Sequence, residues 1–277
     1  MTSARPAAPP AGSAETPPPA SPPAWRTLGS RVVTLCLAEL QKLRHDRTEL
    51  YTRAIQPVLW LVIFGMTFSR LPAIPTGGIP YLDYLAPGVL AQSALFIAIF
   101  YGIQIIWERD VGVLTKLLVT PTPRAALITG KAFAAGIRAL SQAVVVLALS
   151  ALLGVALTVN PLRLLGTALA VLLGAGFFAT LSMTIAGLAL SRERLMGIGQ
   201  AITMPLFFAS NALYPVRLMP AWLRAVSHGN PLSYEVNALR GLLLGTPANL
   251  PLDFAVLVAA LLAGVAIASA LLGRLAR

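Results

Sequence analysis

Long apolar runs alternate with short polar, proline- and glycine-rich breaks along most of this chain. Six runs stand out, at about 54–69, 84–107, 126–159, 162–190, 195–213 and 252–272. Most approach or exceed the roughly 20 apolar residues that cross a bilayer core as a helix. They are continuously apolar rather than alternating, which excludes the two-residue rhythm of a β-barrel. The pattern predicts an all-α membrane protein with six transmembrane helices.

The segments between and before these runs carry their own signals. Residues 1–24 are Pro/Ala-rich without periodicity and are expected to be a disordered tail, leaving 25–277 as one membrane domain. Over 25–50, Leu28, Val32, Leu35, Leu40 and Leu43 can share one side while Arg31, Lys42, Arg44 and Arg47 add charge. That predicts an amphipathic helix lying in the headgroup layer. Ala94, Ala98 and Gly102 recur every four residues, as do Gly166, Ala170 and Gly174. Such stripes let helix backbones approach closely, by default within one subunit.

Two polar islands are more informative. Residues 108–131 begin with Glu108, Arg109 and Asp110, make room for about two helical turns with Leu114, Leu117 and Leu118 on one side, and stop at Pro121 and Pro123. Residues 214–251 are too broken to span. Asn230-Pro231 is a helix cap followed by proline in the first turn, and Gly245 is a helix stop. The helix between them is about 20 Å long, short of a roughly 30 Å core. A helix pair dipping into the outer leaflet is therefore expected over 221–244.

Charge sharpens the topology. Only 11% of the 277 residues are charged and 57% are hydrophobic, against about 25% charged for a soluble domain. With the N-terminus inside, sixteen of the 21 Lys and Arg fall on inner segments and five on outer ones. This supports both termini in the cytoplasm. The net charge of +11 reads as topology, not as nucleic-acid binding.

Most catalytic chemistry is missing. One cysteine, Cys36, and two histidines, His45 and His228, offer no metal cluster. Gly130-Lys131 looks like the end of a phosphate-binding loop, but Ala125 and Ala132 stand where a glycine and a hydroxyl residue are needed. No ATP site is visible, and the ten acids sit in loops, interfacial helices or span ends rather than in a proton relay. Uphill transport would draw its energy from a partner. An intramembrane enzyme would have only Ser141, Ser182 and Thr184 to build on. A non-transporting membrane scaffold is the remaining class. Arg138, two turns into a span, is open to snorkelling or to facing the bundle interior.

Glu108-Arg109-Asp110-x-Gly112-x-Leu114, followed by Leu117-Leu118-Val119-Thr120-Pro121 and Gly130-Lys131, resembles the signature of the ABC transporter type-2 permease family. Asn230-Pro231-Leu232-Ser233-Tyr234 with Ala238-Leu239-Arg240 resembles its second hallmark. The likeness covers about 30–275 and is nearest the daunorubicin-resistance branch of drug-export permeases. Asp110 departs from the glutamate common there but keeps the charge.

The resemblance implies a half-transporter in the bacterial cytoplasmic membrane. Its partners would be a second copy or a sister permease and two ABC ATPase subunits, which would hold the ATP and magnesium. It implies no cofactor on this chain. Residues 108–121 would be the cytoplasmic coupling helix, with Glu108, Arg109, Asp110, Gly112, Leu114, Leu117 and Pro121 serving coupling. Residues 25–50 would be the interfacial elbow. The 221–244 pair, with Asn230, Pro231, Tyr234 and Arg240, would be the outer re-entrant element. A lipophilic drug-like or lipid cargo is the expectation, with polysaccharide or glycolipid as the alternative. Phe96, Phe100, Phe177, Phe178, Phe207 and Phe208 are candidates to line its path, or are core or lipid-facing aromatics.

Overall fold

The computed structural model describes residues 55–69, 76, 78–114, 116 and 123–275. The tail at 1–24, the amphipathic 25–50 segment, Leu117 and Pro121 lie outside the described residues. All regular structure among the described residues is helical. In chain order the helices are α1 (Ile55–Ser69), α2 (Tyr81–Asp110), α3 (Arg124–Leu152), α4 (Pro161–Ala189), α5 (Arg192–Phe208), α6 (Ala221–Gly229), α7 (Pro231–Leu244) and α8 (Leu250–Leu275). Among them, α2, α3, α4 and α8 are long and apolar enough to cross a membrane, and α1 is a shorter apolar helix.

The hub is α4, which packs against α2, α3, α5, α7 and α8. Its start follows from Asn160, whose side chain accepts from Leu162 N at 2.9 Å, and from Pro161 in the first turn. Small residues set its spacing. Gly102 on α2 lies so close to Ser182 on α4 that an added Cβ would sit 2.2 Å from the hydroxyl and 2.5 Å from the carbonyl oxygen. Ala94 and Ala98, on the same stripe, are fully covered. Within the subunit, then, these stripes are already occupied. On α1, Trp60 stacks on Phe64 at 4.4 Å and meets Phe207 of α5 edge-on at 5.6 Å, around a π-helical turn at Trp60–Gly65.

Several ends differ from the periodicity. The run expected to reach 159 stops at Leu152, because Gly154 takes a left-handed φ of +87° and 155–160 run without helix. There Thr158 N donates to Leu243 O at 2.9 Å, tying the connector to the end of α7. The run expected to reach 213 stops at Phe208. Residues 209–214 form a non-helical strap across the start of α2, held by Tyr84 Oη to Asn211 O at 3.0 Å and Tyr81 Oη to Leu213 O at 3.3 Å. The short pair appears as expected: α6 and α7 share Asn230, and Gly245 ends α7 at φ +71°.

Candidate functional site: two motif clusters at opposite ends of α2

Helix α2 has 30 residues and runs through Glu108, Arg109 and Asp110 before breaking. The break is Gly112, at φ +74°, where a side chain would be strained. Its N–H closes on Arg109 O at 2.9 Å, and Lys116 N bonds back to Gly112 O at 3.3 Å, beginning a new helical turn.

Each of the three charged residues ties α2 to a different neighbour. Glu108 receives Lys131 of α3, with Nζ 2.7 Å from Oε1 and 2.6 Å from Oε2, and Gln104 one turn earlier donates to Oε1 at 3.1 Å. The two side chains of this pair are only 10% and 13% exposed, so the charges are largely withdrawn from water. Arg109 donates to Leu190 O at 2.9 Å, at the left-handed C-cap of α4 where φ is 58°. Asp110 accepts from Arg109 at 2.7 Å and from Arg192, the first residue of α5, at 3.0 Å. One tripeptide therefore fixes the adjacent ends of α2, α3, α4 and α5.

Leu114 is fully buried. Among the described residues around the break, Trp107, Asp110, Val111, Val113 and Lys116 are exposed. The sequence motif thus splits into a tie between helix ends, largely buried at Glu108 and at the surface at Asp110, and an exposed rim that is apolar except for Lys116.

The partners Lys131, Leu190 and Arg192 were not foreseen. Lys131 did carry a signal, since an ammonium at the end of an apolar run needs an anion nearby. Leu190 contributes only a carbonyl, for which no local pattern exists.

The second motif gathers at the Tyr84 end. Asn230 accepts from Leu232 N at 3.0 Å and donates Nδ2 to Leu206 O at 2.6 Å, so it caps α7 and holds the end of α5. Pro231 fills the first turn and Tyr234 Oη donates to His228 O at 2.8 Å. Arg240 is buried with its guanidinium 3.7 Å above the Tyr84 ring. Its Nη2 donates to Tyr84 O and Asn211 O, both at 3.1 Å.

Between the clusters, Phe96 and Phe100 on α2 border two cavities. One of about 240 Å³ adds Gln56, Gln92 and Gln142; the other, of about 190 Å³, adds Met196, Gln200 and Thr203 from α5. Phe178 and Phe207 are core residues, Phe177 packs against the core, and Phe208 is exposed. Ser141, Ser182 and Thr184 each donate to a backbone carbonyl. Among the described residues no three His, Cys, Asp or Glu gather as a metal site. What these contacts can do is mechanical: they set where helix ends sit relative to one another.

A family model described as ABC-2 type transporter matches residues 30–244. The chain is 31% identical to the ycf38 transport permease of Porphyra purpurea, over 70% of this chain and 67% of that one. Its counterpart in Cyanophora paradoxa is 29% identical, over 72% and 69%. The daunorubicin resistance ABC transporter permease protein DrrB1 of Streptomyces coeruleorubidus is 27% identical, over 81% of this chain and 78% of its own. The multi-helix apolar bundle, the two motif clusters and the family match converge: this chain belongs to the ABC-2 type transporter family.

Proposed function

We propose that the chain is the membrane permease subunit of an ATP-binding-cassette exporter in a bacterial cytoplasmic membrane. In this reading it spans six times with both termini cytoplasmic, with α1 and α5 completing the four longer helices and α6–α7 re-entering from outside. It pairs with a second permease and moves a lipophilic drug-like or lipid compound outward. Two separate ATPase subunits supply ATP and magnesium. The name of the Streptomyces relative supports a lipophilic drug as the cargo class. Phe96 and Phe100, bordering both cavities on α2, are the groups best placed to meet it.

The observation that carries the reading is the continuity between tie and rim. Val111, Val113 and Lys116 are exposed one turn beyond three residues that hold α2, α3, α4 and α5 together. A motor pressing on the rim moves those helix ends as one body, since the Glu108–Lys131 pair and the Arg109 and Asp110 bonds transmit the displacement. Glu108 and Leu114 act as internal struts in this scheme, and the rim makes the contact.

The test is reconstitution with the candidate ATPase. Co-purification and cargo-stimulated ATP hydrolysis are expected. Gly112→Pro, which cannot adopt φ +74° and removes a donor, should leave insertion intact and ATP binding by the motor unchanged while abolishing cargo-stimulated transport. Wild-type export by that variant at equal expression rejects the docking role. A vesicle panel including a glycolipid separates the drug-like cargo from the glycolipid alternative.

A further inference from the structure

Arg240 is a buried cation whose described partners are all neutral. Its Nη2 is taken by two carbonyl oxygens, its plane lies on Tyr84, and its Nε has no hydrogen-bond partner among the described residues. The residue is 8% exposed. Buried charges are ordinarily matched by an opposite charge, because the desolvation cost of an unmatched one is several kcal/mol.

An open cavity of about 310 Å³ adjoins it, bordered by Thr76, Tyr84, Asn211, Arg217 and Arg240. That volume reaches the lower end of the range of small-molecule sites, roughly 300–1,000 Å³. Its described lining includes two arginines and no acidic residue. Arg217 stands exposed on the short turn Val216–Leu218, whose position is braced by Arg224 donating to Met219 O at 3.2 Å. One arginine is thus rigid and deep, the other solvent-accessible at the same cavity. Planar guanidinium forks are suited to the oxygens of a phosphate group.

We propose that this cavity binds a phosphate-type anion through Arg240 and Arg217. Two sources present that chemistry, the phosphodiester headgroup of an acidic lipid and free inorganic phosphate. The inference concerns binding by the chain itself and does not depend on the motor or the cargo.

The test uses the full-length purified chain in neutral-lipid nanodiscs. The thermal midpoint is followed against added phosphatidylglycerol, and separately against inorganic phosphate with chloride at matched ionic strength. A saturable rise is expected. Arg217→Gln should weaken the apparent affinity about tenfold or more, the usual effect of losing a charged hydrogen bond. Arg163→Gln removes an equal exposed charge outside the cavity lining and should behave as wild type. Arg240→Lys, which keeps charge but loses the fork, should also weaken binding. Should it fail to fold, Arg217→Gln decides alone. A rise with phosphatidylglycerol only assigns the site to a lipid, and a rise with both probes extends it to soluble phosphate. No saturable rise with either, or equal affinity in Arg217→Gln and wild type, overturns the proposal.

Discussion

At the Asp110 end of α2, Glu108 meets Lys131, and Asp110 meets both Arg109 and Arg192. At the Tyr84 end, about 39 Å away along the helix, Arg240 meets carbonyl oxygens and a ring, and neither oxygen of Glu235 finds a hydrogen-bond partner among the described residues. Glu235 is fully buried on α7 and pressed against Gly174 of α4, where an added Cβ would lie 2.2 Å from Oε2. The two ends respond differently to displacement. An ion pair still attracts when its groups separate by an ångström or two, because Coulomb energy falls only as the inverse of distance. A close-packed contact loses much of its dispersion energy over less than an ångström. The contacts at the Asp110 end therefore tolerate a small displacement better than those at the Tyr84 end.

The largest effect expected from breaking this contrast is at the ion pair. Glu108→Ala strands a largely buried ammonium, and Lys131→Ala strands the carboxylate. Either should destabilise the protein by about 3–5 kcal/mol, the usual cost of removing one member of a buried pair. Thermal unfolding of the purified variants measures it. The double exchange Glu108→Lys with Lys131→Glu should recover part of the loss, since the geometry is short on both sides. Wild-type stability in both single variants would mean that the pair is incidental and that Gln104 and Leu114 hold this end instead.

The next effect separates packing from charge at the other end. Gly174→Ala drives a methyl into the Glu235 carboxyl and should cost roughly 1–3 kcal/mol, as overpacking does. In a Glu235→Ala background the same methyl enters vacated space, so its cost should fall or reverse sign. A double-mutant cycle reads the coupling, expected at about 0.5–3 kcal/mol for residues in contact. Additive behaviour would show that α4 and α7 do not rely on this contact.

How much of this could be read from residues alone depends on the range of the forces involved. The helices themselves were legible, because the run lengths and the Asn230 cap are local features. The end of α3 was missed by seven residues although Gly154 stood in the run, because an isolated glycine does not announce its φ. The end of α5 was less accessible still. The strap after Phe208 is held by Tyr81, Tyr84 and Arg240, all far away in the chain. The motif residues were found through the family resemblance, but their partners were not. Leu190 contributes a backbone carbonyl, and Arg192 looks like one more loop charge until α5 places it beside Asp110.

The smallest effect is the most discriminating for the Tyr84 end. Glu235 sits where an ionised carboxylate would be a buried charge with no hydrogen bond, which interior packing tolerates poorly. The neutral acid is the form that fits, and glutamine has nearly its shape and no charge. Glu235→Gln should therefore change stability by less than about 1 kcal/mol, well below the effect of Glu108→Ala. Glu108→Gln is the matching substitution at the ion pair and does remove a charge, so comparing it with Glu235→Gln by thermal unfolding isolates environment from residue type. A large loss in Glu235→Gln would mean that the carboxylate is ionised and matched by a cation. In that case the Tyr84 end would hold its charges as the Asp110 end does, and the contrast between the two ends of α2 would fail.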